Sequence, residues 1–136
     1  MKTRVAYLML VVLPMTLTSC MFMGPSVKGD GDIKEKVREV GEFHGVRVTS
    51  GMNVHLVQGD QQKVVVSADA NLHDLIETKV EDGILEIKAV ANIWRAEKKE
   101  VIVTTPELSE ITGTAGSNVY TDNELKAGKI HIRGYA

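Results

Sequence analysis

The chain has 136 residues, of which 16 are basic and 18 are acidic, so its formal net charge at pH 7 is −2. This balance lacks the basic excess that nucleic-acid binding requires, and it gives no support for a domain that wraps onto anionic lipid headgroups. The length allows one modest domain.

Residues 1–19 have the three parts of a secretory signal peptide. A positive start at Lys2 and Arg4 is followed by an apolar run from Val5 to Leu13, and then by small or polar residues up to Ser19. The apolar run is too short to span a bilayer comfortably. We therefore expect residues 1–19 to be an export signal.

A lipid-attachment motif follows the signal. The segment Leu17-Thr18-Ser19-Cys20 resembles the lipobox of bacterial lipoproteins, in which the cysteine is acylated and the preceding peptide is removed. Cys20 is the only cysteine in the chain, so it has no disulfide partner. The resemblance implies a lipoprotein of the cell envelope, attached to the outer membrane through acylated Cys20. The motif does not decide whether the protein faces the cell surface or the periplasm.

A short linker and one larger domain make up the mature chain. Removing residues 1–19 takes two of the 16 basic residues and none of the 18 acidic ones, which makes the net charge −4. Residues 20–31 contain Gly and Pro without periodicity, and we expect them to be a tether that does not pack. Residues 32–136 are expected to be a β-rich head domain, since Val and Ile dominate its apolar residues.

Seven short runs in the head domain have the alternation and β-branched residues of strands. Asp82-Gly83 joins two of them and predicts a type I′ hairpin. Asn71–Ile76 predicts a single helical turn capped by Asn71. The runs are Ile33–Val40, Val46–Thr49, Asn53–Gln58, Lys63–Ala68, Ile76–Glu81, Ile84–Ala89 and Glu100–Thr105.

A six-residue segment occurs twice, 65 residues apart. Thr49-Ser50-Gly51-Met52-Asn53-Val54 is repeated as Thr114-Ala115-Gly116-Ser117-Asn118-Val119. The two copies are expected at equivalent corners of stacked coils, where the glycines supply a permissive backbone. Asn53 and Asn118 are expected to form an amide ladder inside the stack.

The order of these motifs resembles one family, the head domain of auto-transporter adhesins (domain of unknown function 2807), which is common in Bacteroidota lipoproteins. The resemblance covers Gly29 to Arg133. Its motifs are Phe43-x-x-Val46-x-Val48-x-Ser50-Gly51, Val54-x-Leu56-x-Gln58-Gly59, Val64-x-Val66, Asn71-Leu72 and Ile76–Ile87. It implies an all-β fold, a right-handed parallel β-helix-like solenoid of stacked short strands. It carries over no catalytic or binding residues.

The end of the chain departs from the family pattern. Family members continue through further repeats, whereas this chain stops at Ala136, where a new coil should begin. We therefore expect a truncated copy or a fragment. A solenoid without a terminal cap exposes strand edges, which predicts self-association through those edges.

No catalytic constellation is visible in the sequence. Four histidines are present, but no His-x-His or His-x-x-x-His pair, so we expect no metal site. Turn chemistry explains the aspartates, and no G-x-S-x-G motif holds a nucleophile. We expect neither catalytic residues nor a cofactor. The four histidines are His44, His55, His73 and His131.

Trp94 and Arg95 are the candidate ligand contacts, between two predicted strands. An indole beside a guanidinium could hold a sugar ring or a protein partner. The bulk of Trp94 is also suited to cap the end of a thin apolar core, which is the favoured interpretation.

The sequence thus predicts a non-enzymatic, envelope-anchored module that binds glycan or a surface protein, without nucleic acid as a partner. A structural or assembly role in the envelope is the alternative. A polysaccharide-acting β-helix enzyme is a weaker one, because it needs carboxylates clustered in a groove.

Overall fold

The computed structural model describes residues 26–114, 116–121 and 131–135, and the backbone alone of the last range. These residues form an all-β fold with one 3-10 helix, Ala70–Leu75. Residues 1–19, which the sequence predicts to be a signal peptide, and Cys20 lie outside the described residues. The strands are β1 (Ser26–Lys28), β2 (Ile33–Arg38), β3 (Gly45–Val48), β4 (Asn53–Gln58), β5 (Lys63–Asp69), β6 (Ile76–Glu81), β7 (Ile84–Ala89), β8 (Asn92–Arg95), β9 (Lys99–Thr105), β10 (Glu110–Thr114), β11 (Asn118–Thr121) and β12 (His131–Tyr135).

Two five-stranded sheets contain most of these strands. We call the sheet with strand order β12-β10-β3-β7-β6 sheet I, and the sheet with order β11-β4-β9-β5-β2 sheet II. A separate two-stranded sheet pairs β1 with β8 in parallel. Three rungs cross from sheet I to sheet II: β3 leads to β4, β7 leads through β8 to β9, and β10 leads to β11. In the stack, the rung of β3 and β4 lies between the other two.

The rungs stack in register and bury columns of apolar side chains. In sheet I, Val46 lies opposite Leu85 on one side and Ile111 on the other. In sheet II, Val54 lies opposite Val101 and Val119. Alternation along each strand sends these residues to one face, where they form a single buried cluster. Burial of this cluster is the main favourable contribution to folding.

Antiparallel strands lie beyond the rung formed by β7 and β9. In sheet I, β6 pairs with β7, and in sheet II β5 pairs with β9 and then with β2. The predicted hairpin between β6 and β7 is confirmed, because Asp82 and Gly83 both have positive φ, 51° and 74°. Strand β2 is almost wholly exposed and contains Lys34 and Lys36, charges that discourage further pairing at a sheet edge.

The repeated segment does occupy equivalent corners. The amide of Met52 donates to the Thr49 carbonyl oxygen, and the amide of Ser117 donates in the same way to Thr114. Gly51 and Gly116 both have positive φ, 65° and 73°. The prediction of equivalent turns is therefore confirmed.

The start of the domain differs from the expected tether. Ser26–Lys28 forms β1 and pairs with β8, and Val27 packs against the apolar cluster. This pairing gives the segment both hydrogen bonds and a buried side chain, so it belongs to the packed domain. Among the described residues, no helix is long and apolar enough to cross a membrane.

The helical turn is confirmed as the 3-10 helix, but its predicted cap is wrong. Asp69 holds the N-cap position and makes no side-chain cap hydrogen bond. Asn71 instead donates to the Lys28 carbonyl oxygen at 2.8 Å and accepts the amide of Asp30 at 3.0 Å. The 3-10 helix is thereby tied to the segment that follows β1.

Candidate binding surfaces

The outer face of sheet II carries an aromatic cluster of His55, Glu100 and Tyr120. Tyr120 and His55 lie opposite each other on neighbouring strands, so their side chains leave the sheet on the same side. The two rings stack with centroids 4.8 Å apart and an interplanar angle of 24°. Tyr120 is 44% exposed, which leaves a large part of its ring accessible to a ligand.

Glu100 holds this cluster together. Its carboxylate accepts a hydrogen bond from the Tyr120 hydroxyl and lies 3.7 Å from His55 Nδ1. Lys98 Nζ lies 3.7 Å from the other carboxylate oxygen. The Glu100 side chain is only 15% exposed, so its contacts restrict the positions of both rings. Such fixed rings lose little conformational entropy when they bind a partner.

A polar row lies beside the rings. The side-chain amide of Asn118 donates to the Asn53 side-chain oxygen at 3.1 Å, and Asn53 lies opposite Glu100 on β9. The predicted amide ladder is therefore present, but Asn118 is exposed, so the ladder lies on the outer face and not inside the stack. Amide and carboxylate groups next to aromatic rings can bind hydroxyl-rich or peptide ligands.

Trp94 and Arg95 form a second exposed surface, on β8. The register with β1 shifts between Val27 and Lys28, and this bulge leaves Trp94 and Arg95 both exposed. Trp94 is 59% exposed. The favoured interpretation of Trp94 as a core cap is therefore wrong: Ile93 faces the core, and the alternation of β8 turns the indole outward.

Asp69 has a buried carboxylate that is hydrogen-bonded to backbone amides. It accepts the backbone amides of Lys98 at 2.8 Å, Gly31 at 3.0 Å and Glu97 at 3.2 Å. Burial acts to raise the pKa of Asp69, but these hydrogen bonds outweigh burial, and the pKa lies below its usual value. The carboxylate thus joins the β1–β2 loop to the β8–β9 loop.

The histidines with described side chains are spread over the domain. His44 contacts the Ser109 hydroxyl, His55 belongs to the aromatic cluster, and buried His73 contacts the Lys34 carbonyl oxygen at 2.9 Å. The side chain of His131 lies outside the described part. Within the described part, no three His, Cys, Asp or Glu residues are grouped as metal ligands.

The sequence indicated none of the partners of Glu100 or Asp69. The aromatic cluster draws its members from three strands that become neighbours only through the stacking of the rungs. The one available signal was alternation, since His55 lies between Val54 and Leu56 and had to face away from the core. The sequence predicts a turn role for Asp69, whereas its buried carboxylate accepts hydrogen bonds from the backbone amides of two loops.

The fold is that of an all-β head domain with paired sheets. A family model described as "Putative auto-transporter adhesin, head GIN domain" (domain of unknown function 2807) matches residues 42–135, and the chain belongs to this family. No curated protein matches the sequence.

Solved structures from Parabacteroides and Bacteroides species share the fold. A "putative adhesin" from Parabacteroides merdae has 20% identity and a TM-score of 0.69, over 80% of this chain and 46% of that one. A "putative adhesin" from Bacteroides fragilis has 18% identity and a TM-score of 0.72, over 79% and 52%. A "putative lipid binding protein" from Parabacteroides distasonis has 18% identity and a TM-score of 0.63, over 81% and 53%. The chain spans about half the length of these structures.

Proposed function

We propose that this protein is a non-enzymatic adhesion head that binds glycan or a surface protein through the outer face of sheet II. The observation that carries the proposal is the stacked pair of His55 and Tyr120, both in contact with Glu100 on the outer face of sheet II. Ring faces and adjacent hydrogen-bonding groups suit both sugar rings and peptides. Membership of the adhesin head family supports the same role.

The proposal includes attachment to the outer membrane through acylated Cys20. The lipobox supports it, because acyl chains anchor a protein without a transmembrane helix. Metabolic labelling with palmitate tests it: the full chain is expected to take up label, and Cys20→Ala is expected to lose it. Protease treatment of intact cells then distinguishes a surface from a periplasmic location, which decides whether adhesion to external ligands is possible.

We also propose that the three rungs are turns of a right-handed β-solenoid. The parallel register of β7, β3 and β10, and of β9, β4 and β11, supports this proposal. Within such a stack, the outer face of sheet II extends as each rung is added. Adhesion through a repeated outer face would then depend on side chains from several rungs.

Binding of the full chain to a glycan array and to a panel of surface proteins tests the adhesion role. Tyr120→Ala is expected to weaken binding at least ten-fold, since aromatic anchors carry a large share of binding energy. Lys79→Ala, at an exposed position of sheet I, is the matched control and should bind as the parent does. Absence of any ligand above background, or equal binding by both variants, would contradict the proposal.

A further inference from the structure

The first packed element of the domain places an exposed tryptophan beside two basic side chains. Lys28 of β1 lies opposite Arg95 of β8, and Trp94 is the neighbour of Arg95. Lys28, Trp94 and Arg95 are all exposed. We call these three residues the β8 patch.

The two cations of the β8 patch occupy paired positions on β1 and β8. Like charges directly opposite each other on neighbouring strands repel. Neither Lys28 nor Arg95 has an ion-pair partner among the described residues, whereas Lys34, Lys79, Lys88 and Lys98 each have at least one. An anionic group bound between Lys28 and Arg95 would relieve this repulsion.

The position of β1 in the chain indicates where that anionic group is. Ser26, the first residue of β1, lies six positions after Cys20, with five residues between them. A fully extended chain of that length spans about 20 Å. If Cys20 is acylated, β1 and its partner β8 therefore lie within about 20 Å of the membrane surface.

We propose that the β8 patch is a membrane-docking surface, in which Trp94 enters the headgroup region and Lys28 and Arg95 bind anionic phospholipid headgroups. This inference rests on the proposed anchoring through Cys20. Tryptophan is favoured at membrane interfaces because one end of its side chain is apolar and the other is polar. Long basic side chains reach phosphate groups while their methylene stems stay on apolar surface.

The small size of the patch is consistent with an anchored domain. The net charge of the chain is negative, and Glu97 lies exposed two residues after Arg95, so the basic character is local. A tether converts docking into an intramolecular event at high effective concentration, so two cations and one indole suffice. Docking would orient the domain and leave the outer face of sheet II as the separate adhesive surface.

Trp94 is the only tryptophan in the chain, so its fluorescence reports on the β8 patch alone. The full lipoprotein is reconstituted in vesicles of phosphatidylethanolamine and phosphatidylglycerol. Lipids brominated near the headgroup are expected to quench Trp94, and aqueous acrylamide is expected to quench it less than in the free Cys20→Ala chain. Equal acrylamide quenching in both samples, without bromolipid quenching, overturns the proposal.

Charge variants test whether Lys28 and Arg95 bind headgroups, or whether the anchor alone keeps the β8 patch near the membrane. Removing both cations by Lys28→Gln and Arg95→Gln is expected to lower the ratio of docked to undocked chains about 25-fold, five-fold for each basic group. The matched control, Lys36→Gln with Lys63→Gln, removes the same charge from exposed positions on β2 and β5 and should leave quenching unchanged. Equal effects of the two pairs would overturn the headgroup site.

Flotation of the same vesicles distinguishes the two proposals. A chain that floats with acylated Cys20, but whose Trp94 stays open to acrylamide, overturns docking and leaves anchoring intact. A chain that does not float, with Cys20 unmodified by mass spectrometry, overturns both. Trp94 fluorescence that responds to added glycan and not to lipid would assign the β8 patch to glycan instead, and would also overturn docking.

Discussion

The side-chain amide of Asn118 donates to the side-chain oxygen of Asn53 across 3.1 Å, although 65 positions separate the two residues in the chain. Strands β11 and β4 hold them in register, and the preceding corners share the same backbone hydrogen bond. The contact therefore connects two copies of the repeated segment. Because the ladder lies on the outer face, it contributes to the surface of sheet II as well as to its register.

The ladder predicts a measurable coupling between Asn53 and Asn118. Asn118→Ala is expected to destabilise the domain by about 0.5–1 kcal/mol, since the hydrogen bond is neutral and exposed. Asn118→Asp should cost more, because it removes the donor and adds a carboxylate to the row that contains Glu100. Thermal melts of Asn53→Ala, Asn118→Ala and the double variant test this. Strict additivity of the two alanine variants would contradict it.

Asp69 is expected to be the most sensitive acidic position in the described domain. Asp69→Asn replaces an ionised acceptor of three backbone amides, and we expect a loss of about 2–3 kcal/mol in the free energy of unfolding. Denaturant titration at pH 7 measures it. Asp74→Asn, at an exposed position on the 3-10 helix, is the matched control and should change stability by less than about 0.5 kcal/mol.

The stabilisation by Asp69 should depend on pH in one direction. Hydrogen bonding from Lys98, Gly31 and Glu97 depresses the folded-state pKa of Asp69 in spite of its burial. The contribution is therefore fully present above the unfolded-state pKa of about 3.9, and it is lost as the pH falls through the folded-state value. The stability difference between the parent and Asp69→Asn should shrink below about pH 4. A difference that grows on acidification would refute this assignment.

Gly29 should be intolerant of a side chain. A Cβ atom at this position would overlap the Asp69 carboxylate and crowd the Ala96 backbone. Gly29→Ala is therefore expected to destabilise the domain by about 1–3 kcal/mol, as overpacking does elsewhere. Gly41 has nothing within 4 Å of its Cβ position, so Gly41→Ala is the control. Equal melting temperatures for the two variants would argue against close packing at Asp69.

Local sequence signals predict the strands and turns whose conformation depends mainly on residues adjacent in the chain. The bounds of β4, β6 and β7 were predicted correctly, because alternation and flanking turn residues mark each of these strands. Asp82-Gly83 identified its hairpin for the same reason. Strands β1 and β8 were missed, since each is short and becomes a strand mainly through pairing with the other.

The candidate site depended on long-range register and was mostly beyond prediction. Trp94 and Arg95 were identified from residue type alone, but Lys28 joins them only through the pairing of β1 with β8. Glu100 meets His55 and Tyr120 because three rungs stack, and no spacing along the chain encodes that contact. The repeat was the one sequence feature that indicated stacking, and it correctly placed Asn118 opposite Asn53.

Ser50 carries backbone strain at the first corner. Its φ is 60°, in the left-handed region that disfavours side chains, and Gly51 follows with φ of 65°. Ser50→Gly is expected to be neutral or to stabilise by up to about 0.5 kcal/mol, because relief of strain offsets the greater entropy of the unfolded chain. Ser50→Val should destabilise by about 1–2 kcal/mol, since a β-branched side chain is least tolerated there. Chemical denaturation of both variants provides the comparison.

Trp94 should contribute less to stability than a core side chain of its size. The residue is 59% exposed, so truncation loses less than half of the area that a fully buried indole would lose, and we expect Trp94→Ala to lower the free energy of unfolding by about 1–2 kcal/mol. Leu72, which is fully buried, is the reference, and Leu72→Ala is expected to cost about 2–5 kcal/mol. Unfolding followed by circular dichroism measures both without depending on the removed indole. A cost for Trp94→Ala near that of Leu72→Ala would restore the role of Trp94 as a cap of the core. A cost well below that of Leu72→Ala would agree with an indole that lies outside the apolar core.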